Sequence, residues 1–442
     1  MKVLKSKSFV GIMAVLSCLL YGLQGVAQKP VRVGNLDSPN EPSININRQN
    51  AQEVLCGANL NNLYLSHDGG ETWEAIKMTS DYGVHGDPVV ISDSSGRYYY
   101  FHLSNPKDGN WIDRIVCQTS EDFGKTWSRG SYTGLDGTKA QDKHWAVYNK
   151  AKNEVYISWT QFDAYGSRKK EDRSNIMYSK SDDNGQSWSS AYQINQTSGN
   201  CVDSSLTTEG AVPTFSNDGT IYIAWAGPDG IRMNSFKDGA WLPVTALIDS
   251  NTAGWSYEIP GINRCNGMPI AICDRSKGEN EGRIYVNWSD QRKGADDTDI
   301  FLKYSDTKGD KWSEPIPIGK RGGKRHQFLT WMAVDQTTGA LYFVYYDRSR
   351  FKDNRTDVVI ARSYNGGKSF KYKRIKQEPF TPVAGKFFGD YNNIDAHAGI
   401  VQLVWTRMDD ADTSIWTYRF EEKNAKKYQL LHQNHYQYII YQ

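Results

Sequence analysis

Apolar residues along this chain come in short bursts such as TIYIAWAG, LYFVYYD and IVQLVWTR, each bounded by clusters of Gly, Asp, Asn and Ser. Bursts of this length, rich in β-branched and aromatic residues and flanked by turn formers, predict β-strands. No stretch holds a sustained helical period, so the pattern predicts an all-β chain of short strands and tight turns.

The turns repeat. SHDGGETWE from Ser66 returns as SEDFGKTWS from Ser120 and SDDNGQSWS from Ser181, and three degraded copies end at Trp241, Trp312 and Phe370. The closing aromatics Trp73, Trp127, Trp188, Trp241, Trp312 and Phe370 recur every 53 to 71 residues. Periods of this size point to propellers or arrays, and each period here contains four strand-like bursts, as in AVPTFSNDG, TIYIAWAG, GIRMNSFKDG and AWLPVTAL. A last unit starting at GDYNNIDAHAG lacks its fourth strand, while KPVRVGNL stands as an orphan strand near the other end of the chain. Pairing the two would close the ring and remove exposed sheet edges. The expectation is one domain over residues 28–422: an all-β, seven-bladed β-propeller of four-stranded blades, with six blades as the alternative count, closed by the N-terminal strand. The tail 423–442 fits no repeat.

Within each turn Ser, Asp and Gly supply side-chain-to-backbone hydrogen bonds and a positive φ between third and fourth strands, and the Trp packs on a neighbouring blade. Asp68, Asp122 and Asp183 are therefore expected to be structural.

Ahead of the repeats, Lys2, Lys5 and Lys7 precede the apolar FVGIMAVLSCLLYGL and the small residues of GVAQ. Residues 1–27 read as a signal peptide cleaved after Ala27, with a lipoprotein signal at Cys18 as the rival reading. The product would be exported, periplasmic or extracellular. No other segment is apolar enough to span a membrane. With 52 Lys and Arg against 50 Asp and Glu, the charge balance suggests no nucleic-acid partner, and a monomer is expected. Export permits disulfides, and Cys201 and Cys265 sit in equivalent loops and could pair, whereas Cys56, Cys117 and Cys273 lie in apolar strands as buried thiols. A Gly-rich phosphate loop, H-E-x-x-H, paired C-x-x-C and G-x-S-x-G are all missing, which leaves nucleotide chemistry, zinc proteolysis and serine hydrolysis without support.

The pattern S-x-D-x-G-x-[TS]-W at blade spacing is an Asp-box, and the chain resembles the sialidase-like, BNR-repeat β-propeller superfamily over nearly its whole mature length. That superfamily includes sialidases, other glycosidases, glycan-binding proteins and scaffolds, so function has to come from the site. If the Asp-boxes lie on one face, the inner strands begin on the opposite one, with Glu41, His85 and Asp87, Asp142, Lys143 and His144, Glu209, His326 and Trp331, and Asp390 and Tyr391. Asp290, Arg292, Tyr346, Asp347 and Arg348 come from other loops of that face. Such convergence admits three readings: a salt-bridged plug in the channel, a site for a hard cation such as a structural calcium, or a glycan pocket. No other cofactor is required.

The resemblance to sialidases implies Asp87 as acid/base, Glu209 as the glutamate that activates Tyr391 as nucleophile, and Arg292 and Arg348 as members of a carboxylate clamp. Asp142, Lys143, Trp331 and Asp390 would complete substrate binding. One departure is NEPSI, which puts Glu41 where sialidases open their first inner strand with arginine; Arg32 and Arg264 are the available substitutes, though neither matches the motif. A rim of Lys320, Arg321, Lys324, Arg325, Arg355 and Arg264 would favour anionic glycans. The leading expectation is an exported sialidase-like glycoside hydrolase on acidic or host-type glycans. A non-catalytic glycan-binding propeller and a polysaccharide lyase or other glycosidase, with His85, His144 or His326 moving protons, are the alternatives.

Overall fold

The computed structural model describes residues 29–250, 252, 254–319 and 325–422. The leader 1–27, the tail 423–442 and the rim residues Lys320, Arg321 and Lys324 lie outside the described residues.

Seven four-layered blades surround one axis, each built from consecutive strands that pair antiparallel in chain order from the axis outward. Their innermost strands are Ser43–Ile46, Gly86–Ser92, Ala140–Asn149, Glu209–Phe215, Ile270–Cys273, Gln327–Val334 and Asn393–His397, and each touches the next, the last touching the first. The ring closes as the sequence predicts. Val31–Gly34 forms the outer strand of the seventh blade against Asp412–Glu421, with Val31 opposite Thr417. The fourth blade carries an additional edge strand, Ala246–Asp249, beside Gly230–Lys237. A hairpin of Ser256–Ile259 and Ile262–Asn266 is inserted before the fifth blade.

Blades pack face to face through apolar side chains, and their second strands bury Trp159, Trp225, Trp288 and Trp405 completely. The Asp-boxes join this packing. In the first, the Ser66 hydroxyl accepts from Gly70 N at 2.7 Å, Asp68 Oδ1 accepts from Thr72 N at 2.9 Å, and Trp73 Nε1 donates to Gly70 O at 3.1 Å. Trp188 reaches across to the preceding blade, where its Nε1 donates to the Ser131 hydroxyl at 2.9 Å. Two degraded copies keep the turn: Thr307 and Asn365 replace the Asp and still accept the backbone N–H four residues on, at 2.8 and 3.0 Å. The fourth copy has become a two-residue hairpin in which Asp238 and Gly239 both take positive φ, the type I′ geometry that matches strand twist.

One expectation fails here. Cys201 and Cys265 are both buried free thiols, as are Cys56, Cys117 and Cys273. Repeat equivalence brings two loops to corresponding places in neighbouring blades, but a disulfide needs Cβ atoms about 4 Å apart and aimed at each other.

Candidate functional site

The Asp-boxes and the turns between first and second strands share one face, as contacts such as Gly69 N to Gln52 O (2.8 Å) and the Arg97–Glu121 ion pair require. The inner strands start on the other face. Ser43, Val89, Trp145, Val212, Ile270, Trp331 and Asn393 line the axial channel. Since side chains alternate along a strand, the residues two positions earlier form the next layer toward that face: Glu41, Asp87, Lys143, Gly210, Met268, Leu329 and Tyr391. Register breaks at this level in four blades, between Gly86 and Val89, Asp142 and Trp145, Glu209 and Val212, and Phe328 and Trp331. The bulges tilt the strand mouths toward the axis. At three of these bulges a non-glycine residue takes left-handed backbone, Asp87 at φ 50°, Lys143 at 48° and Leu329 at 47°, and Glu41, in the first blade where the register is regular, does so at 52°. At about 1–2 kcal/mol each, such strain survives only where the surroundings impose it.

Lys143 is the hub. Its Nζ lies 2.9 Å from Asp390 Oδ2, 3.0 Å from Asp87 Oδ2, 3.2 Å from Glu41 Oε1 and 4.0 Å from Asp142 Oδ1. The Lys143 side chain is only 5% exposed. Asn59 fastens two of these groups, donating to Glu41 and accepting from Asp87 N at 2.7 Å. Glu41 in turn accepts from Asp390 N at 3.1 Å. Arg264, carried in by the inserted hairpin, clamps Asp390 with Nε at 3.1 Å and a second bond from Nη2, and also bonds Asp203. The ammonium thus holds the place a hard cation would take among these carboxylates. Among the described residues no group of three or more His, Cys, Asp or Glu is arranged to hold a metal ion.

The environment drives the carboxyls apart. Burial, with the nearby Asp87, raises Glu41 well above the usual range, and burial with Asp203 and Asp142 does the same to Glu209. Asp142 is pushed up to about 7, again mainly by burial. Burial is the largest single influence on Asp87 and Asp390 too, but Lys143, Glu41 and His144 together outweigh it at Asp87, and Arg264 with Lys143 outweighs it at Asp390, so both are held below the usual range. Glu209 is fully buried and neither carboxyl oxygen has a hydrogen-bond partner among the described residues.

Under the charges lies an aromatic floor. The Trp145 and Trp331 rings are 4.1 Å apart, and Tyr391 packs 5.1 Å from Trp145 and 6.1 Å from Trp331. Trp331 is 5% exposed, so it is a buried part of this floor and not an open stacking surface.

Of the residues expected from sequence, Asp87, Asp142, Lys143, Glu209, Asp390 and Tyr391 converge at the axial mouth. The arginine clamp does not assemble. Arg292 is tied to Asp290 at 2.6 Å and to Asp249 at 3.4 Å, and Arg348 donates to Pro260 O at 2.6 Å and to Thr356 Oγ1 at 3.0 Å. Each guanidinium is engaged by acceptors from its own loop and from a neighbouring segment, Asp249 for Arg292 and Pro260 for Arg348, which residue type alone could not reveal. Arg32 sits on the outer strand of the seventh blade. The Tyr–Glu nucleophile pair is not formed either: among the described residues the Tyr391 hydroxyl and both Glu209 oxygens are without hydrogen-bond partners, and burial raises Tyr391 well above its ordinary value. Sequence reading missed Asn59, Trp145 and Asp203. The only signal for Asn59 and Asp203 was membership of loops on the correct face.

Outside the cluster, the loops of the second and third blades raise an aromatic edge. Trp111 (45% exposed) stands 5.1 Å from His85 and 5.5 Å from Tyr165, and Tyr165 (36% exposed) donates to Asp203 at 3.3 Å. Beside it Arg168, Lys169, Lys170 and Arg173, with one carboxylate, Asp172, line a surface groove of about 440 Å³ together with Ser167, Asn200 and Val202.

Known proteins bear on this arrangement at the level of architecture. The BNR repeat-like domain family matches residues 55–223. Among solved structures, an ulvan lyase from a family of polysaccharide lyases is similar with a TM-score of 0.53 at 13% identity, over 89% of this chain and 96% of that one. An α-L-arabinofuranosidase from Fusarium graminearum gives 0.50 at 12%, over 89% and 97%. A sialidase described as Hadza microbial gives 0.46 at 13%, over 84% and 73%. No curated protein matches by sequence. Identities this low speak for a shared fold and leave the chemistry to the residues. With its Asp-box turns and its ring of seven blades, the chain is a seven-bladed β-propeller whose residues 55–223 match the BNR repeat-like domain family.

Proposed function

We propose that this protein is an exported, glycan-active propeller enzyme, a glycoside hydrolase working at the axial mouth opposite the Asp-boxes. The observation that carries the reading is the split ionisation of its buried carboxyls, with Asp87 and Asp390 held ionised and Asp142, Glu209 and Glu41 held toward the protonated form. Carboxyl groups pushed apart in this way provide a general acid beside a base or nucleophile, the pairing that glycoside hydrolysis uses. Asp142 as acid and Asp87 as base is the assignment we favour. The cations of the Arg168–Arg173 loop, which outnumber Asp172 in the same groove, and the Trp111–Tyr165 edge fit an acidic glycan entering from the third blade. Sialidase chemistry with a three-arginine clamp has less support, because Lys143 and Arg264 are already neutralised by carboxylates.

A second reading has one specific observation in its favour. The cluster is nearly closed to solvent, with the Asp390 side chain at 0% exposure, as expected of a structural plug in a non-catalytic glycan-binding propeller. Incubating the full chain with sialylated mucin and with uronic-acid polysaccharides separates them. Released sugar that vanishes in Asp87→Asn and Asp142→Asn supports the hydrolase, and an ultraviolet-absorbing unsaturated product would indicate a lyase. Retained glycan binding with no product from any substrate would leave the binding protein.

A further inference from the structure

Beneath the Trp145–Trp331 floor the axial channel is a cavity of about 210 Å³, whose mouth at the Asp-box end is formed by Arg48, Arg275, Gln336 and Asp395. It lies on the other side of the indoles from the carboxyl cluster and plays no part in the chemistry proposed above. Its walls mix apolar side chains, Val89, Val147, Val212, Ile270 and Ala333 among them, with about as much polar surface. Most polar groups that reach it are already engaged: Ser43 Oγ accepts from Val90 N, Thr214 Oγ1 from Cys273 N and Asn393 Oδ1 from Ile44 N. Asn45 is the exception. It is 7% exposed, lines the channel, and its Oδ1 has no partner among the described residues.

The two arginines of the mouth differ. Arg48 is matched by Asp395 at 2.6 Å, and the other oxygen of Asp395 accepts Ile46 N at 2.8 Å. Arg275 donates from Nη1 to Phe215 O at 3.1 Å and lies 4.1 Å over the Phe215 ring, but it makes no ion pair among the described residues. The adjacent Asp274 bonds instead to Ser276 N at 2.8 Å within its own turn. A guanidinium has five N–H donors in a planar fork, so Arg275 keeps most of its capacity for an incoming anion. Burial and then Arg48 lower its pKa to about 10, the direction expected of a cation without a counter-ion.

We infer that this channel is a binding site for a small amphipathic carboxylate, seated with its carboxylate on the Arg275 fork and its apolar body directed toward the indole floor. A bare inorganic anion would satisfy Arg275 but leave the apolar walls unfilled, and a neutral molecule would leave the guanidinium uncompensated. The volume is below the roughly 300–1,000 Å³ of pockets for drug-sized ligands, so the occupant is small.

Calorimetric titration of the full chain with 4-hydroxybenzoate, benzyl alcohol and inorganic phosphate tests the site. Saturable one-to-one binding of 4-hydroxybenzoate is expected, with benzyl alcohol and phosphate at least tenfold weaker. Arg275→Gln should weaken the carboxylate at least tenfold, and Ala333→Leu, which fills the channel without touching the charge, should do the same while the circular dichroism spectrum is retained. Equal binding of the alcohol or of phosphate, indifference to both substitutions, or no binding of the carboxylate would overturn the inference. None of these readouts depends on glycan turnover, so failure here and failure of the hydrolase reading are separable.

Discussion

Trp145 and Trp331 belong to the third and sixth blades, on opposite sides of the ring, yet their ring centroids lie 4.1 Å apart. The two indoles meet at the axis and divide the channel into a charged mouth and a cavity of mixed polar and apolar lining. Each is the residue two positions after a left-handed one, Lys143 and Leu329, so the bulges that tilt the strand mouths also set the height of this floor.

Trp331→Ala should remove the floor's larger half and destabilise the fold by about 3–5 kcal/mol, the range for truncating a buried aromatic. Guanidinium unfolding measures the effect. A loss under about 1 kcal/mol would mean that the indole contact does little to hold the ring.

Lys143→Met leaves Glu41, Asp87 and Asp390 buried without their ammonium, at a cost of about 3–5 kcal/mol near neutral pH. In the intact protein Asp87 and Asp390 have lowered pKa values, so their stabilisation is present above the unfolded-state value of about 4 and fades as pH falls below it. Without the lysine Asp87 shifts upward on folding, while Arg264 still holds Asp390, and the stability that Asp87 contributes is lost as pH rises above about 4. The gap between the two proteins should therefore narrow on acidification from pH 7 to pH 4, and a constant gap in urea titrations would contradict this account of the hub.

Asp142 carries a pKa of about 7, raised mainly by burial. A folded-state value above the unfolded one of about 4 gives a contribution fully present below pH 4 and lost as pH rises toward 7. Asp142→Asn should flatten the stability profile across that window. If Asp142 is the general acid, turnover by the native protein also declines as pH rises past about 7, and the Asn variant loses turnover at every pH. An unchanged stability profile would show that Asp142 titrates normally.

Asp122→Ala tests the structural reading of the Asp-box. Hydrogen bonds from the Thr126 hydroxyl and amide hold this carboxylate at a pKa of about 2, and Thr126 N lies 2.9 Å from Oδ1. Because the turn is exposed, the loss should be about 1 kcal/mol or less, with glycan binding and turnover intact. A defect in binding with stability unchanged would give the box a role the geometry does not support.

Sequence alone carried the architecture a long way. Spacing of Trp73, Trp127 and Trp188, alternation within each burst and the unpaired strand at Val31 together specify a closed ring of four-stranded blades, because hydrogen-bonded turns and strand periodicity are local properties. The same local logic put Glu41, Asp87, Lys143, Glu209 and Asp390 at one mouth. What local pattern does not contain is which charges meet. Arg292 and Arg348 carry the residue type of a substrate clamp, but partners close in space, Asp290 and the Pro260 carbonyl, engage both. Arg264 reaches Asp390 only because an inserted hairpin folds it over the axis. Ion pairing and burial depend on distances across blades far apart in sequence. The ring, its closure and the face that gathers the charged strand mouths were thus determined by sequence period, whereas the lysine hub, the indole floor and the surroundings of Arg275 were decided by tertiary packing around the axis.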